Sequence, residues 1–322
     1  MNQLQGIKIE NFLLHSGAIK SFDLSFQVFG QTIGNAPVVV VNHALTGNSN
    51  VAGENGWWKE IIGDDKVINL KKYTVIAFNI PGNGFDGKQE NLIENYKEFT
   101  IRDIAKLFWE GLSLLKISTI HSLIGGSLGG AVSWEMTVLN PTKVDNLIPI
   151  ATDYKATDWV IANVLIQDQI LNNSSNPIAD ARLHAMLLYR TPKSINQRFL
   201  QQKVDNKEEY QIENWLINHG AKLTNRFTLK AYKLMNHLLR TNDITRSRNS
   251  LVAIGKTIPT AIHIIAVDTD YFFTADQNLD TYNQLKPIKQ NVYYHEINSI
   301  HGHDAFLIEI DQLIALIKPI FK

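Results

Sequence analysis

Five short apolar runs constrain this chain more than any other feature: APVVVVNH (36–43), YTVIAF (73–78), TIHSLI (119–124), NLIPIA (146–151) and TAIHIIAV (260–267). They are rich in β-branched residues and lack polar alternation, the pattern of parallel strands covered on both faces. Between them, Ile101, Ile104, Phe108, Leu112 and Leu115 recur at helical spacing and form a stripe that can lie on a sheet. After the third run a helix is predicted over 128–139, stopped by Asn140 and Pro141. Strands alternating with helices predict an α/β fold with a mostly parallel sheet flanked by helices. Upstream, Phe22, Leu24, Phe26 and Val28 alternate with Asp23, Ser25 and Gln27, which predicts a half-buried antiparallel strand.

From about Ala156 to Ser250 the β-type runs vanish, and segments such as DWVIANVLIQDQIL and IADARLHAMLLY carry helical periodicity instead. The strand-rich pattern resumes at Ile258 and ends with NVYYHEI and an amphipathic helix, AFLIEIDQLIALIKPI. The expected organisation is one core, 1–155 and 256–322, interrupted by a helical lid insertion over 156–255. A length of 322 residues suits one core with an elaboration.

Lys plus Arg and Asp plus Glu both total 31, so no net field draws the chain to nucleic acid or to an anionic membrane. No stretch offers the 18 or so apolar residues of a membrane span, and MNQLQGIKIENF lacks the basic and apolar regions of a signal peptide. A cytoplasmic enzyme acting on small molecules is the expectation. Cysteine is absent, which removes disulfides, thiolate catalysis and cysteine metal sites.

Gly125-Gly126-Ser127-Leu128-Gly129 matches G-x-S-x-G, a weak motif alone, but here it lies between a predicted strand and a predicted helix. That is the setting of a nucleophile elbow, in which a tight turn presents a serine hydroxyl at the top of an α/β-hydrolase sheet. A serine needs a base to accept its proton and a carboxylate to orient that base. Asp268 and Asp270 follow the strand TAIHIIAV, and His301 and His303 follow NVYYHEI, giving the order Ser, acid, His. Spacing does not choose between the members of either pair. The oxyanion of acyl transfer needs backbone N–H donors; the amide of Leu128, after the nucleophile, and that of Leu45, in the loop HALTG (43–47), occupy the two expected places. His43 reads as a residue that shapes this loop. The run His301-Gly302-His303-Asp304 could hold a metal in principle, but no further ligand cluster accompanies it, so no metal is expected.

NHALTGNSNVAG (42–53) with the following WW and IIGDDKVIN, then YTVIAFNIPGNGFDG, IGGSLGGAVSWEM, ADARLHAMLLYR, VDTDYFF and HGHDAFL run in order along almost the whole chain. In this series the chain resembles the homoserine O-acetyltransferases. The resemblance selects Asp270 and His303 as partners of Ser127. It implies that Asp304 helps hold the amino group of homoserine and that Arg182 and Tyr232 belong to the substrate pocket. It further implies acetyl-CoA as co-substrate with no permanently bound cofactor, a place in methionine biosynthesis, and a homodimer formed through the lid helices. Related enzymes transfer succinyl groups or acylate L-serine, and a serine esterase would use the same triad, so these alternatives stand beside it.

Overall fold

The computed structural model describes residues 3–321. Eight strands form one sheet: β1 (Gln5–Leu13), β2 (Ile19–Gly30), β3 (Val38–Asn42), β4 (Thr74–Phe78), β5 (Ile120–Gly126), β6 (Val144–Ile150), β7 (Ala261–Val267) and β8 (Val292–Ile297), in the order β1-β2-β4-β3-β5-β6-β7-β8. β2 runs antiparallel to both of its neighbours, and every other pairing is parallel.

All five residues of β3 and of β4 are buried. Val38 and Val40 join one core layer and Val39 and Val41 the other, because successive side chains on a strand point to opposite faces. On the first face lie α1 (Ile101–Leu114) and α2 (Leu128–Leu139). Thr100 and Asp103 form a reciprocal cap at the start of α1. Ile104, Leu107, Phe108 and Leu112 are then driven fully out of solvent, each burial stabilising the fold by about 1.5–3 kcal/mol. α2 is buried from Leu128 to Thr137, and Glu135 in it binds Arg102 and Arg248, both at 2.7 Å. The second face is covered by the segment around Trp58, Ile61, Ile62 and Ile68 and by α10 (Ala305–Ile308) and α11 (Ile310–Ile317).

Between β6 and β7 come six helices: α3 (Asp158–Asn173), α4 (Pro177–Tyr189), α5 (Pro192–Phe199), α6 (Gln211–Thr224), α7 (Leu229–Arg240) and α8 (Leu251–Thr257). α6 packs on α4, where Gly220 leaves room for Ala179 and Leu183: a Cβ there would sit 2.8 Å from Leu183 Cδ1. α9 (Ala275–Leu285) joins β7 to β8.

Three local readings change. Ser25 and Gln27, expected to face water, are buried. They meet polar partners from two neighbouring loops: Ser49 Oγ donates to Gln27 Oε1 at 2.7 Å, and Asn79 Nδ2 donates to Ser25 Oγ at 3.0 Å and to Ser49 Oγ at 3.0 Å. The last amphipathic run is two helices, because Glu309 leaves helical geometry at φ −86°, ψ 55°. β1, which the pattern reading did not anticipate, pairs with β2 across a register shift between Ile9 and Phe12.

Candidate active site

The parallel register brings the carboxyl ends of β5 to β8 level with one another: Gly126 pairs with Ile150, Ile150 with Ile265, and Val267 with Ile297. The loops that leave these ends form the site, as expected for open α/β sheets.

Ser127 follows β5 directly and has φ 55°, ψ −125°, a conformation that costs a non-glycine residue about 1–3 kcal/mol. Two hydrogen bonds hold it there: its N–H donates to Ile150 O at 2.9 Å, and its C=O accepts from Ala131 N–H at 3.1 Å. The turn is so tight that neighbouring backbones almost touch. A Cβ on Gly125 would lie 2.5 Å from the Gly129 carbonyl carbon, and one on Gly129 would lie 2.1 Å from Asn42 O and 2.8 Å from His43 O. These glycines therefore serve close approach, and they seat the start of α2 against the loop that leaves β3.

His303 lies 176 residues away in sequence, yet in the tautomer drawn by its neighbours its Nε2 accepts from Ser127 Oγ at 2.9 Å. Its Nδ1–H donates to Asp270 Oδ2 at 2.7 Å. The other Asp270 oxygen accepts from the Phe272 and Phe273 amides at 2.6 and 3.1 Å, which fixes the carboxylate. All three residues are at least 96% buried, at exposures of 4, 3 and 3%. The rings of Tyr189, Phe272, Phe273 and Phe306 surround the imidazole with centroids 5.4–5.9 Å away. Burial among them disfavours the imidazolium, but the Asp270 charge and hydrogen bond, with help from Asp304, outweigh it and raise the His303 pKa above its ordinary value.

The alternative members of each pair go elsewhere. Asp268 Oδ1 accepts from Ser299 N–H at 2.9 Å, bracing the turn after β8. His301 Nδ1 meets Ser194 Oγ at 2.8 Å and an Arg190 N–H at 3.0 Å. Among the described residues no grouping of three or more His, Cys, Asp or Glu could hold a metal ion.

The Leu128 amide opens α2 and is one of the four N–H groups that a helix start leaves unpaired. Leu45 sits in the adjoining 43–47 loop, whose turn is closed by Gly47 N–H to Ala44 O at 2.8 Å. His43 ties this loop down: Nδ1–H donates to Ala44 O at 2.8 Å, and Nε2 accepts from Ile80 N–H at 3.0 Å. Burial pushes its pKa down to about 4, so it stays neutral and keeps its acceptor face.

Arg182 on α4 places its guanidinium 5.5 Å from the Tyr189 ring centroid and forms no ion pair among the described residues. Asp304, next to His303, is likewise without an ion-pair partner. Burial raises its pKa, while Arg182, His303 and Arg190 pull the other way. Arg182 is thus near enough to act on the Asp304 carboxyl, yet the two form no ion pair among the described residues. Tyr232 is 2% exposed, donates to Gln167 Oε1 at 3.3 Å, and has its phenol pKa raised by burial. It lines a narrow cavity of about 10 Å³, room for roughly one water, together with Leu45, Tyr189 and Phe272. Tyr189, which packs on both His303 and Arg182, escaped the sequence reading. Its signal was the seven-residue spacing from Arg182, two helical turns along one face.

Residues 37–177 match the family described as alpha/beta hydrolase fold. The homoserine O-acetyltransferase of Cyclobacterium marinum is 33% identical over 97% of this chain and 93% of its own length. Among solved structures, a homoserine O-acetyltransferase from Bacillus anthracis superposes with a TM-score of 0.89 at 16% identity, covering 100% of this chain and 98% of that one. Esterase E22 superposes with a TM-score of 0.88 at 16% identity over 100% of both chains. The two structural likenesses establish the fold alone, since one is a transferase and the other an esterase. With a relative of that identity matched nearly end to end, on an eight-stranded sheet with this serine turn, the chain belongs to the homoserine O-acetyltransferase family of α/β hydrolases.

Proposed function

We propose that the protein transfers an acetyl group from acetyl-CoA to the γ-hydroxyl of L-homoserine through an acetyl-Ser127 intermediate, a step of methionine biosynthesis. The observation that carries the reading is the Ser127 hydroxyl 2.9 Å from His303 Nε2, on a turn strained to present it.

In the first half-reaction Ser127 Oγ attacks the thioester carbonyl carbon while His303 Nε2 takes the hydroxyl proton and Asp270 stabilises the imidazolium. The carbonyl oxygen becomes an oxyanion that the Leu45 and Leu128 amides receive. Collapse breaks the C–S bond, His303 returns the proton to sulfur, and CoA leaves as the thiol. In the second half-reaction His303 deprotonates the homoserine γ-hydroxyl, which attacks the acetyl-serine ester. O-acetylhomoserine departs and Ser127 regains its proton.

Arg182 and Asp304 support an amino-acid acceptor. A guanidinium fork suits an α-carboxylate and a carboxylate suits an ammonium, so a zwitterion satisfies both groups at once. A simple ester hydrolase has no use for such a pair, which is why the transferase reading is preferred to the esterase one. In this reading α3–α8 act as a lid that excludes water, the competitor of homoserine for the acyl-enzyme. The same helices are assigned the dimer contact, supported by Trp159, Leu165, Ile166 and Leu187 standing exposed on α3 and α4. Light scattering of the purified chain tests the dimer.

The function is tested by incubating the protein with acetyl-CoA, with and without L-homoserine, and following free CoA and O-acetylhomoserine. CoA release that ignores homoserine refutes the transferase. Succinyl-CoA and L-serine, run in parallel, test donor and acceptor. Ser127→Ala is expected to abolish acyl-enzyme formation seen by intact-protein mass spectrometry.

A further inference from the structure

Asp153 lies just past the end of β6 and takes no part in the site described above. It is 5% exposed, and its Oδ1 accepts from Thr281 Oγ1 on α9 and from Tyr154 N–H, both at 2.7 Å. Its Oδ2 forms no hydrogen bond or ion pair among the described residues. That oxygen is not one of the polar atoms sealed from solvent, and Asp153 lines an open cleft of about 420 Å³ between the 153–158 segment and α9, so Oδ2 faces the cleft. Burial, with Asp280 adding to it, pushes the carboxyl up to about 7 against the pull of the two hydrogen bonds.

Unused acceptors collect around this carboxylate. Of the eight sealed side-chain polar atoms that lack a partner among the described residues, four belong to Thr152, Asn242, Gln277 and Asn278. Asn242 Nδ2 donates to Asp153 O at 2.8 Å and Asn278 Nδ2 to Thr152 O at 2.8 Å, which fixes the orientation of both amides and leaves both Oδ1 atoms over. Gln277, whose Oε1 is the third spare acceptor, is in the wall of the cleft itself. Buried acceptors are costly to leave unserved, so their surplus here calls for a ligand rich in N–H donors.

Charge points the same way. Asp158 and Asp280 also line the cleft without an ion-pair partner, and its one lining cation, Lys155, is engaged by Asp243 at 3.5 Å. No grouping of three or more acids or histidines among the described residues could hold a metal ion, which favours an organic cation.

We propose that this cleft is a second ligand site, separate from the serine, for a small organic cation carrying a primary ammonium. The ammonium pairs with Asp153, Gln277 supplies a further acceptor, and Asp280 adds negative charge at the rim. The cleft lies where the six-helix segment joins the sheet: Ala156 N–H donates to Asn242 O at 2.8 Å, and Ile244 N–H donates to Tyr154 O at 3.2 Å. α9, its other wall, begins shortly after Asp270. An occupant therefore ties the root of the six helices to the helix that follows the catalytic acid.

Calorimetry with 1,4-diaminobutane at fixed ionic strength tests the site, with 1,4-butanediol and potassium chloride as uncharged and inorganic controls. The wild type is expected to bind the diamine saturably and to bind neither control. Asp153→Asn can keep the Oδ1 contacts with Thr281 and Tyr154 but loses the charge, and is expected to weaken binding about 10–100-fold, the range of a charge-assisted hydrogen bond. Circular dichroism checks its fold. Asp280→Asn, at an exposed position, is expected to weaken binding about 2–5-fold. Asp304→Asn should bind the diamine as the wild type does; loss there places the amine beside the serine and overturns the proposal. It is equally overturned by a wild type that shows no saturable binding or binds potassium chloride as well as the diamine. Undiminished affinity in folded Asp153→Asn, or in Asp280→Asn should the first variant not fold, overturns it too.

Discussion

Replacing Asp270 with Asn tests the site most sharply, because it exchanges one charged acceptor oxygen for an NH₂ donor with almost no change of volume. In the native arrangement Oδ1 is occupied by the Phe272 and Phe273 amides, which leaves Oδ2 to accept from His303 Nδ1–H. An asparagine keeps its carbonyl on the two amides and turns its NH₂ toward the imidazole. His303 then accepts at Nδ1 and carries its proton at Nε2, the atom that faces Ser127 at 2.9 Å, so it can no longer take the serine proton. A wrong tautomer in this arrangement costs about 10⁴ in kcat, or roughly 5 kcal/mol of transition-state stabilisation. The assay is single-turnover release of CoA thiol from acetyl-CoA, with far-UV circular dichroism to establish folding. Asp268→Asn serves as the control: its amide oxygen can still accept from Ser299 N–H, and it is expected to stay within about tenfold of wild type. A folded Asp270→Asn protein that retains more than a tenth of the activity, or an Asp268→Asn protein that loses more than it does, refutes the assignment.

The acid limb of kcat/KM should lie above the ordinary imidazole value of 6.5, because the His303 pKa is raised and the base works only unprotonated. Asp304→Asn removes one of the raising charges, so the limb should shift to lower pH in a pH–rate series. Arg182→Lys keeps the charge but loses the fork, and should raise KM for homoserine about tenfold while leaving the burst of acetyl-enzyme little changed, as rapid-quench measurements would show. Gly129→Ala forces a Cβ against Asn42 O and should destabilise by about 1–3 kcal/mol in urea unfolding, with activity falling further as the oxyanion loop is pushed away.

Elements buried on both faces were the most legible in the sequence, because continuous β-branched runs have few other folded uses. β3, β4 and β6 coincide with their apolar runs to within a few residues, and α2 spans the predicted 128–139. β1 escaped because its exposure pattern rarely repeats and Asn11 interrupts it at φ 54°. Ser25 and Gln27 misled because alternation reports polarity, whereas their partners Ser49 and Asn79 lie far along the chain. The serine turn was visible because its determinants are local. Asp270 could not be told from Asp268 by spacing, since the choice depends on which carboxylate the amides of Phe272 and Phe273 capture. Tyr189 was overlooked because a tyrosine in an apolar helix reads as packing, and only its position over His303 gives it another meaning.

The sheet places the serine on an inner strand and the imidazole beyond β8, at the margin of the sheet. During synthesis the nucleophile therefore exists long before its base. In the proposed mechanism, a nascent polypeptide ending after β7 would display the Ser127 hydroxyl without the imidazole that takes its proton. Activity is then expected only once the final strand docks on β7 and carries His303 into place, so turnover would report that the carboxyl-terminal segment has been assembled.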